Sequence, residues 1–252
     1  MRISLLQLNI EAGRKLPLVI SFIKKKSYDI VHLQEVAGGE FAYEKQDCFS
    51  LLKKETGYEG VLSVDMSLKD TVSYYGNATL FSSRIKKSAT HIVSFLPPKQ
   101  YLSKQEVVNE EIPRSAVVTS VRLNSKIITT INTHLVWGQT PEDTEQKLEV
   151  GKKLVQLMKT VPEPYILTGD FNVAPTSQII SWLKSFGRNL TLEQNITNTL
   201  NPHLHKASHI FPLGIVSDYV VVSNSLSVFS FQLIDSPDLS DHFGLAVEIE
   251  VL

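Results

Sequence analysis

Apolar residues in this chain come in short runs that end abruptly on a polar residue. Ile3 to Ile10 has the length and content of a buried strand. Pro17 to Lys26 follows as a helix, with proline in its first turn and Lys24, Lys25 and Lys26 at its end, where the helix dipole favours cations. Asp29 to Gln34 reads as a second strand that stops at Glu35. The chain therefore opens as strand, helix, strand, with polar side chains just beyond each strand. In open α/β sheets ligands bind at that edge.

The same reading continues downstream. Asp47 to Thr56 suggests a short helix. Gly60 to Val64, Ala78 to Ser82, Lys87 to Phe95, Ala116 to Leu123 and Lys126 to Thr133 are rich in Val, Ile and Thr and read as strands. Asn124-Ser125 suits a hairpin turn between the last two. Pro141 to Lys159 is the clearest helix, with Thr140 as N-cap and Glu142 and Asp143 in its first turn. Tyr165 to Asp170 is a strand, and Ser177 to Phe186 a helix closed by Gly187. Val216 to Val222, Leu226 to Leu233 and Phe243 to Ile249 complete the strands. Many strands with few helices between them fit two packed sheets with helices outside. No repeat or linker divides the chain, so one domain over residues 1–252 is expected. Ser67 to Asn77, Leu96 to Arg114 and Gly187 to Gly214 lack periodicity and are candidate recognition loops.

Composition narrows the function classes. With 42% hydrophobic and 20% charged residues over 252 positions, the chain is a globular protein able to bury a large core. A net charge of -1 imposes no general attraction to polyanions, although a local basic patch would suffice for nucleic acid. Cys48 is the single cysteine, which fits a reducing compartment. No apolar run approaches the roughly 20 residues of a membrane span, and the N-terminal stretch lacks a leader layout. A cytoplasmic protein without an integral membrane segment, monomeric by default, is the expectation.

The chemistry lies at the strand ends. Asn9, Glu11, Glu35, His134, Asp170, Asn172, Asp218, Asp241 and His242 each sit at or just beyond an apolar run. Polar groups there are costly unless they are paired, metal-bound or open to a cleft. Carboxylates, amides and histidines together suit hydrolysis of a phosphate ester. A divalent cation would neutralise charge on the phosphoryl oxygens, and a carboxylate or histidine would position and deprotonate water. Oxygen donors without a cysteine-histidine cluster favour Mg²⁺ or Mn²⁺ over Zn²⁺.

The order of the motifs is more specific. LNIE at Leu8 to Glu11, LQE at Leu33 to Glu35, NTHL at Asn132 to Leu135, GDFN at Gly169 to Asn172, SDY at Ser217 to Tyr219 and SDH at Ser240 to His242 resemble the motif set of the endonuclease/exonuclease/phosphatase superfamily. The resemblance implies an α/β (α+β) fold, a four-layered α/β sandwich of two packed, mostly antiparallel sheets flanked by helices. It implies Glu35 as principal metal ligand, supported by Asn9, and Asp241 as a ligand of the same or a second metal. Glu11 falls where some members carry an acid near the metal. Asp170 would orient or deprotonate the attacking water, and Asn172 would donate to the phosphate. His242 would contact the scissile phosphate in acid–base chemistry, oriented by Asp218. His134 resembles the histidine of the nuclease and sphingomyelinase branches that contacts the phosphate or protonates the leaving group.

Two further residues are substrate-binding candidates. Arg114 can bind a phosphate through its fork, and Asn77 matches a position lining the family's cleft. Tyr74, Tyr75, Tyr101 and Trp137 lie in candidate rim loops and are candidates to stack on bases or cover lipid. The implied function is a metal-dependent phosphodiesterase or nuclease acting on a phosphodiester or phosphoester, nucleic acid included. The alternatives are a phosphatase or sphingomyelinase-type phospholipase C, and a catalytically dead binding module, which would be expected to have lost part of the motif set.

Overall fold

The computed structural model describes residues 2–69, 71–123, 126–206, 209–211 and 214–250. The first apolar run forms β1 (Arg2–Asn9) and leads to α1 (Leu16–Lys26), which has proline in its first turn and three lysines in its last. The chain returns as β2 (Ile30–Gly38), parallel to and beside β1. Then come α2 (Cys48–Thr56), β3 (Glu59–Leu68), β4 (Tyr74–Phe81), β5 (Lys86–Ser94), β6 (Lys99–Tyr101), β7 (Ser115–Leu123) and β8 (Lys126–His134). The last part holds α3 (Glu145–Thr160), β9 (Tyr165–Asp170), α4 (Gln178–Leu183), β10 (Arg188–Asn189), α5 (Leu190–Glu193), β11 (Asp218–Val222), β12 (Ser227–Ile234) and β13 (Gly244–Glu250).

The strands form a seven-stranded sheet in the order β12-β13-β1-β2-β4-β3-β6 and a six-stranded sheet in the order β10-β11-β9-β8-β7-β5. Among the described residues only β1–β2, β3–β6 and β8–β9 pair in parallel, so the sheets are mostly antiparallel. Ile3, Leu5, Phe81 and Val247 of the first sheet meet Val121, Ile128, Ile166 and Val220 of the second in a shared core. On the outer face of the first sheet, α1 and α2 bury Val19, Ile23 and Leu52. On the outer face of the second, α3 and α4 bury Val150, Leu154 and Ile180. The result is the expected four-layered sandwich, helix on sheet on sheet on helix.

Several boundaries differ from the sequence reading, each for a local reason. β2 runs through Glu35 to Gly38, because a bulge absorbs one extra residue between Leu33 and Val36. β3 bulges likewise between Val64 and Met66, so most of the expected loop Ser67 to Asn77 is strand. Gly76 lies between the bulges because a Cβ there would be 1.8 Å from the Ser63 carbonyl. α3 starts at Glu145 with Thr144 as its cap, four residues later than expected. Asp143 is used elsewhere: it accepts Ser177 Oγ at 2.6 Å and Gln178 N–H at 2.9 Å, capping α4. α4 ends at Leu183, and Gly187 lies against the Val222 carbonyl rather than closing the helix. The expected turn at Asn124-Ser125 lies outside the described residues. No helix among the described residues is long and apolar enough to cross a membrane.

Candidate active site

The ends of β1, β8 and β9, the bulge of β2, the start of β11 and the turn before β13 lie on the same edge of the sandwich, and their side chains meet there. Asp170 is the hub. Its Oδ1 accepts the Asn172 N–H at 3.0 Å. Its Oδ2 accepts Asn9 Nδ2 at 3.1 Å and lies 3.5 Å from His134 Nε2 and 3.7 Å from His242 Nε2. The backbone allows this because β9 lies close against β8 at Gly169, where a Cβ would be 1.9 Å from the Thr133 carbonyl. Burial, then the neighbouring Asp218, push the Asp170 carboxyl up from the usual carboxylate range.

Asn9 Nδ2 also donates to Glu35 Oε1 at 3.1 Å, so one amide nitrogen spans two carboxylates. Its oxygen accepts the Glu11 N–H at 3.0 Å. Turning the amide over would set oxygen against both acids, so this orientation follows from the charges. Asn9 therefore aligns Glu35 and Asp170, while its own oxygen is engaged. Glu35 stands at the β2 bulge with φ of 56°, a left-handed backbone that turns its side chain into the cleft. Burial and Asp241 raise its carboxyl, and burial raises that of Asp241. Glu11 is held by Arg14 at 3.1 Å.

His242 Nδ1 meets Asp218 Oδ2 at 2.9 Å. Asp218 is fully buried and also accepts Gln7 Nε2 at 2.8 Å and Ser217 Oγ at 3.0 Å. Burial alone would lower the imidazole, but Asp218 and Asp170 together hold it well above the usual histidine range. His134 is the opposite case. Burial, then the Arg114 and His242 charges, keep it well below that range. Asn172 Nδ2 donates to His134 Nε2 at 2.9 Å, which fits a neutral ring protonated on Nδ1. Two histidines beside Asp170 thus shift in opposite directions, because only His242 also bonds the buried Asp218 carboxylate.

The structure brings Asn9, Glu35, His134, Asp170, Asn172, Asp218, Asp241 and His242 to one cleft edge. The two substrate-binding candidates fare differently. Arg114 is 1% exposed and borders the cleft beside Glu35 and His134. Its Nε and Nη1 have no partner among the described residues. Asn77 is fully buried behind the cleft and donates to Asp65 Oδ2 at 3.2 Å, so it does not line the surface. Of the four aromatic candidates, Tyr75 and Trp137 line the cleft. Tyr101 is a core residue, and the Tyr74 hydroxyl serves Asp47 and Phe49 N–H at the start of α2. Leu96 to Arg114 and Gly187 to Gly214 supply cleft residues as expected of recognition loops.

The cleft has two chambers that share Glu35. One, of about 300 Å³, holds Asp170, Asn172, Asp241 and His242. The other, of about 460 Å³, extends from Glu35 and Arg114 under Tyr75. Carboxylates raised by burial and by one another are what a cation would relieve, and the donor set is oxygen-rich. Asp170, Asp218 and His242, and separately His205, Asp241 and His242, hold ligand atoms within 4.8 Å of one another.

Sequence reading passed over three contributors. His205 packs edge-on against the His242 ring at 5.7 Å from a loop with no periodicity. Gln7 interrupts the apolar β1 run and reaches Asp218. Lys147 interrupts the apolar face of α3. Its buried Nζ donates to the carbonyls of Thr140 at 2.7 Å and Asn172 at 2.8 Å, tying two cleft loops together. Lys147→Met keeps most of the bulk and loses both bonds. It is expected to lower kcat by roughly tenfold through misplacement of Asn172, with little change in KM. A rate equal to the parent at unchanged melting temperature would remove the positioning role.

The model of the Endonuclease/Exonuclease/phosphatase family matches residues 6–242. No curated protein matches the chain in sequence. Solved structures do. An endonuclease/exonuclease/phosphatase from Bacteroides vulgatus superposes with a TM-score of 0.77 at 17% identity, with 100% of both chains covered. A Bacteroides thetaiotaomicron mannosyl-6-phosphatase gives 0.71 at 17%, covering 99% of this chain and 100% of its own. TDP2 from D. rerio, in complex with a single-strand DNA product, gives 0.69 at 16%, with 99% of each chain covered. At these identities the likeness is one of fold.

Proposed function

Because this chain belongs to the endonuclease/exonuclease/phosphatase family, we propose that it is a divalent-metal-dependent phosphoester hydrolase, a phosphodiesterase first of all. One observation carries the reading. A buried histidine-carboxylate pair, a carboxylate with its proton affinity raised, and a buried arginine with unpaired donors surround one cleft. Glu35, aligned by Asn9, and Asp241 would hold Mg²⁺ or Mn²⁺, which would supply charge neutralisation at the phosphoryl group. Asp170 takes the proton of the attacking water, a task its raised affinity suits. The water oxygen bonds to phosphorus as the opposite phosphorus–oxygen bond breaks, and the leaving oxygen keeps that bond's electron pair and takes a proton from solvent. The His242 imidazolium donates Nε2–H to the phosphoryl group, and Arg114 binds its oxygens. His134, neutral, and Asn172 hold the phosphate in place.

The same centre serves monoesters, and the mannosyl-6-phosphatase shows this fold carrying a protein so named. The TDP2 complex shows it beside single-strand DNA. Nothing in the net charge of -1 favours duplex nucleic acid. We place the protein in the cytoplasm, as one domain acting as a monomer. The test is a panel in Mg²⁺: bis(p-nitrophenyl) phosphate, p-nitrophenyl phosphate, single-stranded and duplex DNA, RNA, sphingomyelin and sugar phosphates. Turnover of the generic diester at a rate above that of the monoester is expected. Inertness toward every member would reject the hydrolase reading.

A further inference from the structure

The larger chamber has a wall of its own. Two irregular segments build it, one around Phe41 to Tyr43 and one from Lys104 to Ile112. Lys104 Nζ donates to the Glu40 carbonyl at 2.9 Å and joins them. The first segment has left-handed backbone at Gly39, Glu44 and Lys45, which folds a short stretch back on itself and sets buried Phe41 and exposed Tyr43 along the chamber. Tyr75 enters from β4, with its hydroxyl beside Glu35 and Arg114. Trp137 stands at the mouth, 37% exposed. Four aromatic side chains therefore border one space of about 460 Å³, within the roughly 300–1,000 Å³ of small-molecule sites.

We propose that this chamber is a subsite for a flat aromatic ring, aryl or nucleobase, carried on the phosphoester that the site binds. The inference rests on the phosphoester reading above. Rings stack on aromatic walls in offset or edge-on contact. Arg114, buried with two unpaired donors, sets the anionic end at the chamber's inner margin. Lys104, Asn109 and Lys206 place polar groups in the wall, which favours a compact ring over an acyl chain. The space is bounded by the two segments and suits one ring rather than a run of duplex.

Phosphonates separate binding from turnover. The affinities of methylphosphonate, benzylphosphonate and cyclohexylmethylphosphonate for the full chain in Mg²⁺ are measured by calorimetry. Benzylphosphonate is expected to bind about tenfold tighter than methylphosphonate. The non-planar cyclohexyl analogue should fall well short of it. Ala42→Trp fills the chamber from the first segment, and Val107→Trp fills it from the second. Each should bring benzylphosphonate to within about twofold of methylphosphonate, whose own affinity holds. Equal affinity for benzyl and methyl probes in the unaltered chain overturns the proposal. So does a cyclohexyl probe as tight as the benzyl one, or a ring preference that survives in both folded variants. Failure to hydrolyse any phosphoester would instead sink the functional reading and leave this binding result standing. To tell whether the ring sits on the leaving or the retained oxygen, ethyl and benzyl p-nitrophenyl phosphate are compared in Ala42→Trp. A selective loss for the benzyl ester marks the retained side, and an equal loss for both marks the leaving side.

Discussion

His242→Ala is expected to lower kcat by about 10²-fold or more, the scale of a lost acid–base or charge-stabilising group. The ring is positioned from behind. Asp218 holds Nδ1 at 2.9 Å, and Gln7 and Ser217 fix Asp218 in turn. That leaves Nε2 facing the Asp170 side of the cleft at 3.7 Å. The Asp218 and Asp170 carboxylates hold the ring's proton affinity well above the usual histidine range, which suits donation from Nε2. Alanine also strands the fully buried Asp218 without its cation, which costs stability as well as rate. His242→Asn separates the two effects. Its amide can still donate to Asp218, so most of the stability returns, but it carries no proton and the rate does not. Circular dichroism, melting temperature and turnover of bis(p-nitrophenyl) phosphate read these out. Parent-like turnover by folded His242→Asn would show that the charged imidazole is not used.

Much of this site was legible because its members end strands, and strands are legible. β9 begins and ends where Tyr165 and Asp170 mark it, and Asp170 closes an apolar run with nothing ambiguous around it. What sequence could not show was register. Glu35 looked like the end of a strand, but it is a bulge inside one, forced out because Leu33 pairs with Ala78 while Val36 pairs with Gly76. The same shift on the other side of β4 buries Asp65 and draws Asn77 onto it, away from the cleft. A one-residue slip decides which face a side chain serves, and it is fixed by pairing partners far away in sequence. His205 and the chamber wall were hidden for a different reason. Their segments take their shape from tertiary contacts such as Lys104 to Glu40, not from periodicity. Lys147 and Gln7 did leave a signal, a polar residue on an otherwise apolar face. Such an interruption is worth reading as a buried hydrogen-bonding site.

Removal of divalent cation should abolish turnover, and it should also register on the fold itself. Glu35, Asp170 and Asp241 are each raised by burial, and each is raised further by a neighbouring acid. A carboxyl raised in the folded state contributes stability below its unfolded value of about 4 and loses it as pH climbs through the folded value. A raised imidazole such as His242 has the same sign, with its contribution intact below about 6.5 and lost progressively as pH climbs toward the folded value. His32, His134 and His205, held low by burial, have the opposite sign up to about 6.5, so the chelated protein is expected to melt at progressively lower temperature as pH rises from about 6.5 to 8. A cation bound only by the folded chain reverses this. At a concentration one hundred times its dissociation constant, Mg²⁺ or Mn²⁺ adds about 2.7 kcal/mol. The gain should be larger at pH 8 than at pH 5, where protons already occupy part of the carboxylate set. Glu35→Gln should shrink the cation-induced shift and cost turnover while raising the melting temperature of the chelated protein, because one of the mutually repelling acids is gone. Thermal melts with EDTA and with Mg²⁺ across this range test every step. A metal shift that is independent of pH, or full hydrolysis in EDTA, would mean that these carboxylates do not gather around a cation.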